Sequence, residues 1–385
     1  MHSAILYFKN LIKPQLFRKN VFNLKVNRLS TVNPTLTEDD GNFFKDEMAD
    51  LKAHYPILAK DLTSYISQYK EFPGLLERFP QLLDYTVPNE DPYFLTTALI
   101  PLYSYKAIEE PDKMTEENLK KACIMAWVYR ILEVSQIIVD DIIDHSDVRY
   151  NKPVWCKKDG VSLELAVLDS HYLATGAYLL LMKHLENHQC CLDIVHLYME
   201  KMFITFITQF MDVDNIGVKL FLKAIPLRFD KALYIFDGSI RSALYLANIN
   251  DKETHEAMKK FTIPMSRFFQ LQNDFSGVFV GGNKFQRICP DIIDGRNSWL
   301  VATALRMASP SQKKIIEENY GNGDPESAKK VVEVYWDLKL NEVHEKRSKE
   351  FSEEMYNVVE NFPKRIPKQP FHDMAQQLVL NKLYS

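Results

Sequence analysis

The run ILEVSQIIVDDIIDHSDVRY (131–150) places acid at the end of a strongly apolar segment. Asp140 and Asp144 stand four residues apart, so on a helix they share one face. Exposed like charges at that spacing repel by roughly 0.2–0.5 kcal/mol. Ile137, Ile138, Val139, Ile142 and Ile143 surround them, which argues against an open surface. A bridging cation reconciles the two facts. Carboxylate oxygens are hard ligands, suited to a Mg2+ ion that keeps some of its water and holds phosphate groups. Asp141 lies off that face and reads as a supporting residue. A solvated helix end is the plainer alternative, and so short a pattern does not choose between them.

The same three- and four-residue spacing of apolar side chains runs outward through 116–143, 162–186, 192–223, 228–248, 254–280, 297–307 and 326–362. Alternation of period two is rare. Breaks fall at 88–92, 151–153, 159–160, 248–250, 281–283, 309–310 and 321–325. Pro310 after Ser309 also suits a helix start. This pattern predicts an all-α domain of many long helices. Gly is only 12 of 385 residues, and neither G-x-G-x-x-G nor G-x-x-x-x-G-K-[ST] occurs, so dinucleotide-binding and P-loop folds have no support. The net charge of −4 and the lack of a basic block argue against nucleic acid as a partner. Five cysteines with no C-x-x-C fit neither a disulfide framework nor a zinc site, and they suit a reducing compartment.

Residues 1–40 differ from the rest. Lys9, Lys13, Arg18, Lys19, Lys25 and Arg28 precede the first acidic residue, Glu38, with Leu, Ile and Phe between them. Such a segment is expected to be a mitochondrial transit peptide or a disordered basic tail, which leaves a mitochondrial or a cytoplasmic location open. The apolar run 4–8 is too short to span a bilayer, and no transmembrane segment is expected. The folded domain is expected over 41–385.

A second polar site stands far along the chain. FFQLQNDFSG (268–277) places Gln270, Gln272, Asn273 and Asp274 at the end of another apolar helix. Two such sites on facing helices can grip a diphosphate through Mg2+, as bundle cores do with metals.

With both sites in view, the chain resembles the trans-isoprenyl diphosphate synthases, the farnesyl diphosphate synthase family. DDIIDHSDVRYNKPVW (140–155) resembles that family's first aspartate-rich motif, D-D-x-x-D-x-x-x-x-R-R-G-x-P-x-W. FFQLQND (268–274) resembles the approach to the second, F-Q-x-Q-D-D-x-x-D, and RICPDIIDGRNSWL (287–300) resembles K-x-G-T-D-I-x-D-x-K-x-S-W-L. The resemblance runs from about residue 45 to the end. It implies an isoprenoid synthase-like bundle of long helices around a central cavity, a prenyl diphosphate substrate, Mg2+ and a homodimer. It also implies Asp140, Asp141, Asp144, Asn273 and Asp274 as metal ligands, and Arg149, Arg287, Lys231 and Gln270 around the diphosphate. Asp140, Asp144, Arg149 and Arg287 would carry the ionisation. Ser135 and Gln136 would form the cavity floor. Tyr103, Tyr105, Phe203, Phe206, Phe210, Phe269 and Phe275 are candidates to line that cavity, with ordinary core packing as the alternative.

The departures from the family pattern touch both half-sites and weigh more heavily on one. Asn273 and Gly277 replace two aspartates of the second motif, and Asp230 stands where the family has a phosphate-binding Lys. The pocket that holds isopentenyl diphosphate without metal loses more. Leu102 and Tyr105 replace Lys and Arg, Tyr150 replaces the second Arg of the pair, and Glu133 replaces Gln. A charge-assisted hydrogen bond contributes roughly 1.5–3 kcal/mol, so the loss of several is large. These departures predict a terpene synthase on a prenyltransferase scaffold, as in some insect enzymes that resemble this family. Such a lyase would ionise an allylic diphosphate, farnesyl diphosphate foremost, and release a sesquiterpene. The alternative is a trans-prenyltransferase that makes geranyl or farnesyl diphosphate from dimethylallyl and isopentenyl diphosphate.

Overall fold

The computed structural model describes residues 43–69, 71–87, 95–150, 152–213, 232–279 and 289–380. Its organising element is the helix Glu116–Ile143. Thr115 caps its start by accepting from the Asn118 N–H, and Glu116 and Glu117 complement the N-terminal dipole. With neither Gly nor Pro inside, it runs 28 residues, about 42 Å at the usual rise. Residues 122–132 are all buried. A helix apolar on every side belongs at the centre of a bundle, and this one lies there.

The α-helices among the described residues are, in order, α1 (Lys45–Ser64), α2 (Pro73–Thr86), α3 (Thr96–Ile108), α4 (Glu116–Ile143), α5 (Leu163–Leu185), α6 (Cys191–Val213) and α7 (Ser239–Leu246). They continue with α8 (Lys252–Phe279), α9 (Pro290–Ile293), α10 (Trp299–Met307), α11 (Pro310–Asn319), α12 (Pro325–Asp337), α13 (Leu340–Glu360) and α14 (Lys368–Val379). The central helix α4 packs on α5, α3 and α1. One short hairpin pairs β1 (Val148–Arg149) antiparallel with β2 (Lys152–Pro153). The core has two parts. The larger joins α1–α7 with most of α8 and the last two helices. The smaller gathers α9–α12 around the end of α8.

The all-α expectation holds, with local differences. The single run read at 326–362 is two helices, α12 and α13. Lys339 separates them in the left-handed region at φ 54°, a break that no Gly or Pro announces. The run 228–248 contains a π-turn at Tyr234–Gly238 before α7. The run 192–223 is helix to Val213, and 214–231 lie outside the described residues, as do 1–42 with the expected targeting segment. By length and composition α4 and α5 are apolar enough to cross a membrane. They pack on one another instead, and 78% of the most apolar stretch of α4 is buried within the fold. The five cysteines are buried free thiols.

Candidate active site

The end of α4 becomes a site because the chain reverses there. Asp144 caps the helix, its N–H donating to the Asp140 carbonyl at 2.8 Å. The β1–β2 hairpin then carries Arg149 back onto the acids. Its Nε donates to Asp141 Oδ1 at 2.8 Å, and its Nη2 lies 2.7 Å from that oxygen and 3.0 Å from Asp140 Oδ2. A second guanidinium arrives from the loop before α10. Arg296 Nη2 lies 2.7 Å from Asp144 Oδ1 and 3.3 Å from Asp294. The three carboxylates at the end of α4, together with Asp294, thus meet two arginines.

Burial differs among the three acids. The Asp141 side chain is 5% exposed, against 27% for Asp140 and 15% for Asp144. Burial pushes the Asp141 carboxyl up, and Arg149 only partly offsets it. For Arg149 and Arg296 burial opposes the charge, but the neighbouring carboxylates outweigh it and both stay protonated. Asp141 is therefore the residue that holds Arg149, while Asp140 and Asp144 keep access to solvent. Two hard-oxygen donors one turn apart fit a Mg2+ ion that retains water and phosphate ligands. Among the described residues no three His, Cys, Asp or Glu side chains close into a full cage.

The second site is tied to the first through one loop. Asp274 on α8 is 1% exposed. Its Oδ2 accepts from the Trp299 N–H at 2.9 Å, and its Oδ1 from Gln270 Nε2 at 2.6 Å. Trp299 Nε1 donates to the Leu271 carbonyl at 3.1 Å. Arg296 and Trp299 are three residues apart, a span of at most about 10 Å, so the loop brings the ends of α4 and α8 together. Both oxygens of Asp274 accept from buried groups, and Gln270 is turned onto it. Asn273 is exposed beside them.

Lys231 and Arg287 lie outside the described residues. Ser135 is buried with its hydroxyl donating to the Leu132 carbonyl at 2.6 Å, and Gln136 is partly buried next to it. The phenylalanines of α6 do not line a cavity. Phe203 is 64% and Phe210 67% exposed, and Phe206 is also exposed. Tyr105 is a core residue whose hydroxyl donates to Glu109 at 2.8 Å. A cavity of about 630 Å³ lined by Ala257, Lys260, Glu350, Glu354 and Phe362 shares no residue with the aspartate cluster.

The replaced half-site has its own logic. Leu102 is fully buried, and Lys106 is committed to Glu47 at 3.2 Å and Asp50 at 2.6 Å. Glu133 is not a bare anion. Its Oε2 accepts from Arg130 Nη1 and from the Thr97 hydroxyl, each at 2.5 Å, and the Tyr234 hydroxyl reaches Oε1 at 3.3 Å. Arg130 is the residue that sequence reasoning passed over. Its only signal was a charge within the apolar run 122–132. Arg296 was also passed over, although RNSWL (296–300) aligns it with a Lys of the quoted family motif.

The Polyprenyl synthetase family pattern matches residues 97–338, more than half of the chain. Farnesyl pyrophosphate synthase of Bos taurus is 26% identical over 348 residues, which covers 88% of this chain and 97% of that one. The enzyme of the same name from Rattus norvegicus is 28% identical over 340 residues, with 86% and 94% covered. A solved structure of T. brucei farnesyl diphosphate synthase, complexed with homorisedronate, superposes with a TM-score of 0.76 at 18% identity, covering 88% of this chain and 99% of that one. These relatives overturn the expected lyase. They are named as synthases of a prenyl diphosphate, and the match runs through both halves of the site. The electrostatic ground for the lyase also weakens, since Arg130 offsets the Glu133 charge that was expected to repel a diphosphate. The aspartate-rich helix end and the matched span agree on one conclusion: the chain is a member of the polyprenyl synthetase family, the trans-isoprenyl diphosphate synthases.

Proposed function

We propose that this protein is a trans-prenyltransferase that joins an allylic diphosphate to isopentenyl diphosphate, with farnesyl diphosphate as the product class. The allylic carbon–oxygen bond breaks and diphosphate leaves. A carbon–carbon bond forms to the terminal alkene carbon of the second substrate, and loss of a proton restores a double bond. The near-full-length match to relatives named as farnesyl pyrophosphate synthases carries this reading. The cluster at the end of α4 supports it chemically. Asp140, Asp144 and the exposed Asn273 would hold Mg2+, which supplies positive charge to the departing diphosphate. Arg149 and Arg296 sit where further charge-assisted bonds to that group form once it competes for them. Lys231 and Arg287 would add to this grip, and Ser135 and Gln136 would floor the prenyl cavity. The test is diphosphate release by the full chain from dimethylallyl diphosphate. Release should rise on addition of isopentenyl diphosphate and stop on chelation of Mg2+. Equal release with and without the second substrate would count against the reading.

The protein also has a face suited to self-association. Met199, Phe203, Phe206 and Phe210 lie exposed at four-, three- and four-residue spacing on α6, with Leu179 and Met182 exposed on α5. Such a stripe is large for a solvated surface, and a two-fold partner using the same stripe would cover it. We also propose that residues 1–40 direct the chain to mitochondria. Their positive charge without acid supports this, and imaging a fluorescent fusion of that segment tests it.

A further inference from the structure

Three cations crowd the end of α2, with one paired carboxylate, Glu133, among the described residues. Arg130 is 1% exposed, and its Nη2 has no hydrogen-bond partner among the described residues. Its Nε donates to the Val87 carbonyl at 3.4 Å. Lys152 donates to the Tyr85 carbonyl and lies 4.3 Å from the centre of the Tyr85 ring. Lys158 lies 5.0 Å from the same ring and 4.9 Å from that of Trp155. Neither lysine has an ion-pair partner among the described residues. Burial, Arg130 and Lys158 together push the Lys152 ammonium below its usual range. Among the described residues Glu133 is the one carboxylate paired here, and Thr97 and Tyr234 share it.

Capping of a helix end by cations accounts for the two carbonyl contacts. It does not account for the third cation or for a buried guanidinium nitrogen left unbonded, a state that costs free energy until an acceptor arrives. The position is telling. Glu133 and Asp140 are seven residues apart on α4, hence on one face and about 10 Å apart. The hairpin spans the gap. Arg149 reaches the aspartates, and the next residue, Tyr150, held at φ 56°, lies with its ring 5.9 Å from the Arg130 guanidinium. One helix face thus carries an acidic, metal-suited end and a cationic pocket beside it.

We propose that Arg130, Lys152 and Lys158 bind the second diphosphate, that of isopentenyl diphosphate, without metal, and take over from the basic side chains absent at 102, 105 and 150. The assignment rests on the condensation reading above. Diphosphate oxygens supply acceptors for Arg130 Nη2 and both ammonium groups, and the three charges exceed what Glu133 offsets.

The test is calorimetric titration of the full chain with isopentenyl diphosphate, and separately with inorganic pyrophosphate, in EDTA. Wild type is compared with a K152M/K158M double variant and with R130M/E133Q, which removes both members of the buried pair together. Thermal midpoints verify folding, and the partly exposed lysines keep the test open if the buried pair fails to fold. The lysine variant is expected to bind isopentenyl diphosphate roughly ten- to a hundredfold more weakly. Its KM for isopentenyl diphosphate should rise while that for dimethylallyl diphosphate holds. No binding by wild type at millimolar ligand overturns the proposal, as does unchanged affinity in a folded lysine variant. Binding that depends on the lysines in a protein that fails to condense the substrates would leave the pocket standing and remove the condensation reading. Condensation with unaltered KM values in the variant would do the reverse.

Discussion

Arg149 shows how much a single side chain does here. The sequence places it nine residues after Asp140, and the hairpin turns that separation into contact with two carboxylates. Removing a donor aimed at developing charge typically lowers kcat by roughly a hundred- to a thousandfold. Arg149→Met and Arg296→Met are each expected to fall in that range by steady-state kinetics, and Arg149→Met should also lower the thermal midpoint, because it leaves the buried Asp141 without its partner. Asp274 has the opposite character. Its carboxylate holds the Trp299 N–H inside the protein, so Asp274→Asn should lower stability by about 1.5–3 kcal/mol and leave the Mg2+ dependence of turnover unaltered. A shifted Mg2+ requirement in the folded variant would return Asp274 to the metal. His344 supplies a pH prediction. It is buried and stacked on Phe275 with centroids 3.8 Å apart, and burial pushes its pKa down to about 4. The unfolded chain takes up a proton near the ordinary histidine value and the folded chain does not. Stability from this residue is therefore complete above about 6.5 and is lost as pH falls toward 4. His344→Phe should flatten the decline of the thermal midpoint across that window. An unchanged slope would show that other groups control it.

At the scale of the element, what the sequence disclosed depended on whether a helix carried its own signals. α4 was read over its observed bounds because its apolar run is long and ends in acid. α5 and α10 came within two residues for the same reason. The division between α12 and α13 was not legible, since a lysine adopts the left-handed turn there without a glycine to mark it. The π-turn at Tyr234–Gly238 was equally silent, because it depends on a tertiary contact. Tyr129 donates its hydroxyl to the Tyr234 carbonyl at 2.6 Å, and that oxygen fills the space above Gly238. A Cβ at Gly238 would meet it at 1.8 Å. Gly238→Ala is expected to cost about 1–3 kcal/mol through overpacking. It should also disturb Tyr234, whose hydroxyl contacts Glu133. Chemical denaturation measures the first effect, and the KM for isopentenyl diphosphate the second. The candidate site was half legible. Its aspartates and Arg149 lie in one contiguous stretch, whereas Arg130 and Glu133 acquire meaning only as a pair, and a sequence read position by position counted Glu133 as a lone negative charge.

For the whole molecule, the bundle gathers two charge centres along α4 and turns apolar stripes of α5 and α6 outward. Light scattering on the full chain should give a dimer, and Phe203→Glu with Phe210→Glu should yield monomers. A monomeric wild type at micromolar concentration would contradict the face assignment. The family membership and the shared fold bear on a larger question, whether the chain builds prenyl diphosphates although the usual basic side chains are replaced. The most direct measurement supplies the full chain with Mg2+, dimethylallyl diphosphate and carbon-13-labelled isopentenyl diphosphate, and reads the products by mass spectrometry. The account predicts geranyl and farnesyl diphosphates carrying label from one and two isopentenyl units. Unlabelled hydrocarbons or alcohols formed from the allylic substrate, with no label in any prenyl diphosphate, would contradict it.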